Sequence, residues 1–277
     1  MMSSGHAAVR FREADAERHA ADIYGLRVTA RALPSEFDDN FHLVAEDGAG
    51  TVLKVMHPDR DAAFVAMQCA ALAHLASRAP DLLLPRVVRT QGGEPFTTVA
   101  APGADRRLVW MVTYAPGTPL VHARPRTAAL LRGLGRFLGR MDVALADFSH
   151  AATERTLLWD FARSGWIREH LGLLADPPRR ALVEGILARY DTDVAPALPG
   201  LRHSVVHHDA NDHNVLVAGG RGGAREVVSL IDFGDMLRTA TVAEVAVAAA
   251  YALLGESDLL AAAAAVVAGY HESHPLR

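Results

Sequence analysis

The stretch His207-His208-Asp209-Ala210-Asn211-Asp212-His213-Asn214 and, further on, Ile231-Asp232-Phe233-Gly234-Asp235 hold the residue types from which phosphoryl transfer is built. Moving a phosphoryl group to a hydroxyl asks for one carboxylate beside the attacking oxygen. It also asks for oxygen ligands to the Mg2+ that travels with the phosphates. Asp209 suits the first task, and Asn214 with Asp232 suits the second. Val205-Val206 and Val215-Leu216-Val217 flank the first stretch, and Ser229-Leu230-Ile231 precedes the second, so each reads as a polar loop between strands. Two polar hairpin tips would share this composition. The order His-x-Asp-x-x-x-x-Asn and then Asp-Phe-Gly favours phosphoryl transfer over that reading. His207, two residues before the acid, fits bracing of the loop better than reaction.

Residues with these tasks need two kinds of scaffold. A polar helix is predicted near Phe11 to Tyr24, and strands at Leu26–Ala30, Asn40–Val44 and Thr51–Met56, the last two joined as a hairpin through Glu46-Asp47-Gly48-Ala49-Gly50. A helix from Asp61 to Ser77 carries Phe64, Met67, Ala71, Leu72 and Leu75 at helical spacing. Pro85–Val88 and Leu108–Thr113 complete a small, mostly antiparallel sheet. Tyr114-Ala115-Pro116-Gly117-Thr118-Pro119 reads as a hinge. Beyond it the pattern turns helical, over Thr127–Asp147, Trp159–Leu174, Arg179–Tyr190 and the Ala-rich Val242–Leu254. The expectation is an α+β, bilobal, protein-kinase-like fold. It has a nucleotide-binding lobe over 1–113, a hinge at 114–119 and a helical lobe over 120–277 carrying the catalytic loop (205–217) and the metal loop (229–236). The nucleotide would lie under the hinge at Thr113, Tyr114 and Ala115. Lys54, flanked by Val52, Leu53 and Val55, would set a point charge against its phosphates.

Composition excludes several classes. A chain of 277 residues, half of them apolar, buries a good core, and a net charge of −4 favours neither nucleic acid nor an anionic membrane as partner. The single cysteine, Cys69, sits on a predicted helix and reads as a buried structural thiol. Met1-Met2-Ser3-Ser4-Gly5-His6 has no apolar signal-peptide core, and the longest apolar run, Val245–Leu254, is too short to span a bilayer. A cytoplasmic protein is expected.

The segments His207–Val217 and Ile231–Met236 resemble the aminoglycoside-phosphotransferase superfamily, and most closely its hydroxylysine-kinase-like branch. The Ala210-Asn211-Asp212-His213 insert is the discriminating part. Leu33–Phe41, Thr113–Gly117, Leu157–Asp160 and Ala249–Gly255 are similar as well, so the likeness runs from about Tyr24 to the last residue. It implies a small-molecule kinase that passes the γ-phosphate of ATP or GTP, with Mg2+, to the hydroxyl of a hydroxylated amino acid or amino alcohol, an acceptor that carries an amine. An antibiotic phosphotransferase is the nearest alternative, and a pseudokinase-like binding module is the alternative of another class. Domains of this branch often precede a pyridoxal-phosphate-dependent module, so a piece of a longer chain is expected.

Three features depart from the family pattern. His208 stands where most relatives carry Gly or Asn, and either substrate contact or space filling would account for it. No acid lies from Ala62 to Pro80 to pair with Lys54, which leaves Gln68 to orient it by hydrogen bond. No glycine-rich phosphate loop exists, so the turn from Ser35 to Asn40 would cover the phosphates with backbone N–H groups and the Ser35 hydroxyl. Asp212 and Asp235 join His208 as candidates for contact with substrate, and Asp235 could equally bind metal or cap the next segment. Asp142, Asp160 and Glu169 are expected mostly on solvated helix faces, and Glu244 to tie its helix to an arginine. His203 and His213 lack a third ligand at zinc spacing.

Overall fold

The computed structural model describes residues 10–101, 106–219 and 224–276. The Met1–His6 segment and most of the glycine-rich turn after Val217 lie outside them. The chain forms two compact units. One runs up to Gly117 and includes Val228–Gly234; the other holds Thr118–Val227 and the chain from Asp235. The metal loop was expected wholly in the second lobe. Most of it clusters with the first, because Asp232 reaches Lys54 and a side chain at Gly234 would touch Phe64.

The first unit contains α1 (Glu13–Tyr24), β1 (Val28–Leu33), β2 (Asp39–Ala45), β3 (Gly50–Val55), α2 (Ala62–Arg78), β4 (Val87–Val88), β5 (Phe96–Ala100) and β6 (Arg106–Thr113). Its sheet is antiparallel in the order β1-β2-β3-β6-β4, with β5 also paired to β6. Two-residue alternation decides the faces. Phe41, Leu43, Leu53, Val55, Val109 and Met111 point into one core with Ala16, Ala20 and Tyr24 of α1. Lys54 therefore lies on the opposite face, in one cross-strand row with Asn40 and Trp110. Asp61 caps α2 by accepting from Phe64 N at 2.8 Å, a contribution of about 1 kcal/mol. Met67, Ala71, Leu72 and Leu75 are buried along the helix. Cys69 is a buried free thiol whose pKa burial pushes up to about 12. β5 was not anticipated: Gly92, Gly93 and Pro95 before it look like loop, and only pairing with β6 makes Phe96–Ala100 a strand.

The second unit contains β7 (Thr118–Pro119), α3 (Ala128–Leu145), α4 (Pro177–Arg189), β8 (His203–Val206), β9 (Val215–Gly219), β10 (Arg225–Leu230, whose end passes to the first unit), β11 (Leu237–Ala240), α5 (Val242–Ala252) and α6 (Leu259–Ser273). β8 pairs with β11 and β9 with β7, which pins both ends of the loop between β8 and β9. α3 and α6 cross at near backbone contact. A Cβ at Gly135 would lie 1.9 Å from Val266 O, and one at Gly269 1.9 Å from Arg132 O. The helix expected over Trp159–Leu174 is instead a 3-10 segment, Phe161–Leu173, broken at Arg163 (φ −121°, ψ 22°). None of its residues is buried, so no core face holds it to α-helical geometry. α6 was missed for the opposite reason: its alanine run shows no apolar stripe, although it buries Val266 and Tyr270. No helix among the described residues is long and apolar enough to cross a membrane.

Candidate functional site

The loop between β8 and β9 is built around Asp209. Asn211 Nδ2 donates to Asp209 Oδ1 at 2.8 Å, and Asn214 Nδ2 donates to Asp209 Oδ2 at 2.7 Å. Each carboxylate oxygen thus receives an amide N–H, which fixes the group in rotation. Asn211 also accepts from the backbone of His213 (2.8 Å) and Asn214 (3.1 Å) through its side-chain oxygen, closing the turn. His207 is buried, and its Nδ1 accepts from Asp209 N at 3.2 Å. Asn211 was not singled out from the sequence; the Asp-x-Asn spacing, typical of an Asx turn, was the available signal.

His208 has φ 65°, a left-handed conformation in which side chains other than Gly, Asn, Asp and His are scarce. Its ring is wholly buried, with Nε2 3.7 Å from Asp160 Oδ1, and burial holds its pKa below the usual histidine value. A neutral ring closed to solvent fits space filling, so of the two uses left open for His208 the geometry disfavours substrate contact. Its backbone N–H donates to Glu244 Oε2 at 2.9 Å. Glu244 was expected to meet an arginine; from the first turn of α5 its fully buried carboxylate instead receives the loop backbone, because α5 packs behind the loop. Burial pushes its pKa up to about 7 against the loop N–H groups that favour its charge. Asp142 and Asp160 are likewise buried rather than solvated. Asp142 on α3 accepts from Tyr270 OH, and desolvation with the charge of Glu244 raises its pKa well above the carboxylate range. Asp160 caps Ala162 N at 3.1 Å and accepts from Thr239 Oγ1 at 3.3 Å.

Asp212, a candidate for substrate contact, is occupied by a buried ion pair with Arg126 at 2.7 Å. Arg126 also donates to Tyr251 O at 3.1 Å and lies, like Asp212, out of water, so breaking the pair costs about 3–5 kcal/mol. Asp235 stays accessible and accepts from the indole N–H of Trp159, itself 57% exposed, at 3.1 Å.

In the first unit, Lys54 Nζ lies 3.4 Å from Asp232 Oδ1 and 5.5 Å from the centroid of the buried Trp110 ring. This corrects the expectation for Gln68. Its amide is buried inside α2 and donates to Phe64 O at 3.4 Å, one helical turn back. The carboxylate beside Lys54 comes from the chain's distant Asp-Phe-Gly segment and not from α2. Lys54 is also the only lysine in the sequence; every other member of the Lys and Arg set is arginine. Asp232 is half exposed at φ 63°, and Phe233 behind it is buried.

The turn before β2 is tied at its base, with Asp38 Oδ1 accepting from His57 N at 2.6 Å and Asp39 Oδ2 from Phe11 N at 3.2 Å. Ser35 is exposed at its tip, and Asn40, opposite Lys54 in β2, has a buried Oδ1 without a hydrogen-bond partner. Thr113 Oγ1 accepts from Arg86 N at 2.9 Å, and Tyr114 N donates to Gly50 O at 2.9 Å while its ring stacks on His42 at 4.0 Å. Ala115 is buried beside it.

Among the described residues no three His, Cys, Asp or Glu side chains could hold a metal ion. Mg2+ needs less, one or two protein oxygens besides phosphates and water. Asn214 has its nitrogen committed to Asp209, which leaves the amide oxygen as its other polar atom; Asp232 offers an accessible carboxylate. Each offers a hard oxygen donor of the kind Mg2+ takes.

The profile of the "Phosphotransferase enzyme family" matches residues 29–277. Hydroxylysine kinase of Mus musculus is 27% identical over 96% of this chain and 76% of its own length. Hydroxylysine kinase of Danio rerio is 27% identical over 92% and 74%. Among solved structures, the microcompartment-associated aminopropanol kinase superposes with a TM-score of 0.72 at 18% identity, over 95% of this chain and 82% of that one. The amicoumacin kinase hAmiN, in complex with AMP-PNP, Ca2+ and Ami, superposes with a TM-score of 0.71 at 15% identity, over 97% and 80%.

Proposed function

Because this chain belongs to the phosphotransferase enzyme family, we propose that it phosphorylates a hydroxylated amino acid or amino alcohol of the hydroxylysine kind. It is an enzyme that transfers phosphate to a hydroxyl group of a small molecule, with a nucleotide as donor. The observation that carries the reading is the Asp209 carboxylate, each oxygen held by an asparagine amide. Held so, it would accept a hydrogen bond from the acceptor hydroxyl, aim its lone pair at phosphorus and take up the proton as the bond forms.

Lys54 would leave Asp232 for the phosphates of ATP or GTP, its compact ammonium serving as a movable point charge. Ser35, Asn40 and the backbone around them would line the phosphates, and Thr113, Tyr114 and Ala115 the base. Asn214 and Asp232 would supply oxygen to Mg2+. The ion, when bound, neutralises charge that builds on the phosphates. The accessible Asp235, with the Trp159 indole beside it, is suited to an acceptor ammonium, since a carboxylate and an aromatic face both attract cations.

Nucleotide turnover with hydroxylysine, aminopropanol and an aminoglycoside as acceptors tests this. The amino acid or amino alcohol should exceed the aminoglycoside in kcat/KM by at least about tenfold. Turnover on the aminoglycoside alone would move the acceptor to the antibiotic class. Absence of turnover with every acceptor, beside a Mg-nucleotide thermal shift, would make the chain a binding module.

A further inference from the structure

We infer that Arg155 sets the acceptor specificity: its guanidinium receives the carboxylate of an acceptor whose ammonium lies at Asp235, so the acceptor is a zwitterionic amino acid rather than an amino alcohol. The inference rests on the reading given above for its hydroxyl chemistry, while its recognition half is measured by binding alone.

The ladder of β8 and β11 brings the parts together. Leu237 lies opposite Val206. Past that pair one strand runs on into His207, His208 and Asp209, and the other is entered through Asp235 and Met236. Asp209 and Asp235 thus leave the ladder at the same end. Arg155 joins this end from the segment before Trp159. Its Nε donates to Met236 O at 3.0 Å, which ties the guanidinium to the residue next to Asp235. From the same segment Trp159 Nε1 donates to Asp235 Oδ2 at 3.1 Å, with the indole 57% exposed. A cation, a carboxylate and an open aromatic face are therefore gathered on residues 155, 235 and 159. His208, next to Asp209, feels the same guanidinium: burial holds its pKa down, and the Arg155 charge adds to that. Arg126, Arg168 and Arg238 serve other carboxylates, those of Asp212, Asp191 and Glu154.

Charge decides what this arrangement recognises. A guanidinium is a planar fork that meets a carboxylate with two parallel hydrogen bonds, and the half-buried setting of Arg155 strengthens such a pair. An α-amino acid carries an ammonium and a carboxylate on one carbon, which matches an anion and a cation on neighbouring residues. An amino alcohol answers only the Asp235 half. A polycationic aminoglycoside brings like charge to Arg155.

Hydroxylysine and its carboxamide test the inference, because the amide keeps the hydroxyl and both amines and loses only the negative charge. Wild type should prefer hydroxylysine by about 30-fold or more, both in kcat/KM and in affinity measured by calorimetry without nucleotide. Arg155→Gln should bring both ratios to within about threefold, by weakening hydroxylysine and not the carboxamide. An arginine that only braced the Met236 peptide would lower both acceptors together and keep the ratio. Arg238→Gln removes an equal charge from β11 and should leave the ratios as they are. If Arg155→Gln does not fold, Arg155→Lys decides: it keeps the charge without the fork, and the ratio should fall by about fivefold or more.

Equal use of hydroxylysine and its carboxamide by wild type overturns the inference. So does an unchanged ratio in Arg155→Gln, or in Arg155→Lys where that variant must decide, and so does an equal collapse in Arg238→Gln. Wild type that binds hydroxylysine over its carboxamide through Arg155 and phosphorylates neither sinks the kinase reading alone. Wild type that phosphorylates both equally sinks this inference alone.

Discussion

Asn214 holds Asp209 twice with one nitrogen, at Oδ2 (2.7 Å) and at the main-chain oxygen (3.0 Å). The residue suited to a cation is thereby locked to the residue suited to the acceptor hydroxyl, and neither can rotate without the other. Asn211 completes the clamp on Oδ1.

Asp209→Asn should lower kcat by about 10³-fold, because an amide takes up no proton, with nucleotide affinity nearly unchanged. Asn211→Ala frees one carboxylate oxygen and opens the turn, so a loss of about tenfold in kcat is expected. Steady-state kinetics with a nucleotide-binding titration separates the two. Near-normal turnover by Asp209→Asn would remove Asp209 from the chemistry.

Lys54 is the sole lysine, so the proposed phosphate site would be chemically addressable. An amine-reactive ester should modify one internal residue, abolish turnover in step with labelling, and be slowed by Mg-nucleotide. Lys54→Arg should fail to restore activity, with a loss of about 100-fold, since a planar guanidinium does not replace a point charge. Labelling at a rate indifferent to nucleotide would place the phosphates elsewhere.

The left-handed backbone at His208 ranks its substitutions. Asn tolerates φ 65° and a β-branched residue does not, so His208→Val should melt roughly 5 °C below His208→Asn. Equal melting points would mean that the turn does not persist at φ 65°.

Glu244 and His208 shape stability against pH in opposite senses. The carboxyl, raised from 4.5 to about 7, stabilises fully below its unfolded value, and that contribution is lost as pH rises through about 7. The histidine, lowered from 6.5, stabilises above that value, and its contribution is lost as pH falls through the depressed one. Glu244→Gln removes only the first effect. The melting point of the variant relative to wild type should therefore rise between pH 5 and pH 8, and a constant difference across that range would contradict the assignment.

Asp209, Asn214, Asp232 and Lys54 could be singled out in the sequence because the proposed chemistry dictates their residue types and order. Strand alternation was enough to set Lys54 apart from Leu53 and Val55. The tertiary structure alone decided the partners of the buried charges. Gln68 has the right helical position to face Lys54, yet its amide bonds within α2 and Asp232, 178 residues away from Lys54, takes the ammonium. Asp142 and Asp160 look like solvated surface in one dimension, Asp212 like a substrate contact and Glu244 like a partner for an arginine, and each is buried against a group from another element. A buried carboxylate is stable only with a partner, and which partner depends on helix crossings such as that of Gly135 with Val266. β5 and α6 were missed on the same ground: pairing with β6 and close packing on α3 define them, and neither leaves a periodic apolar trace.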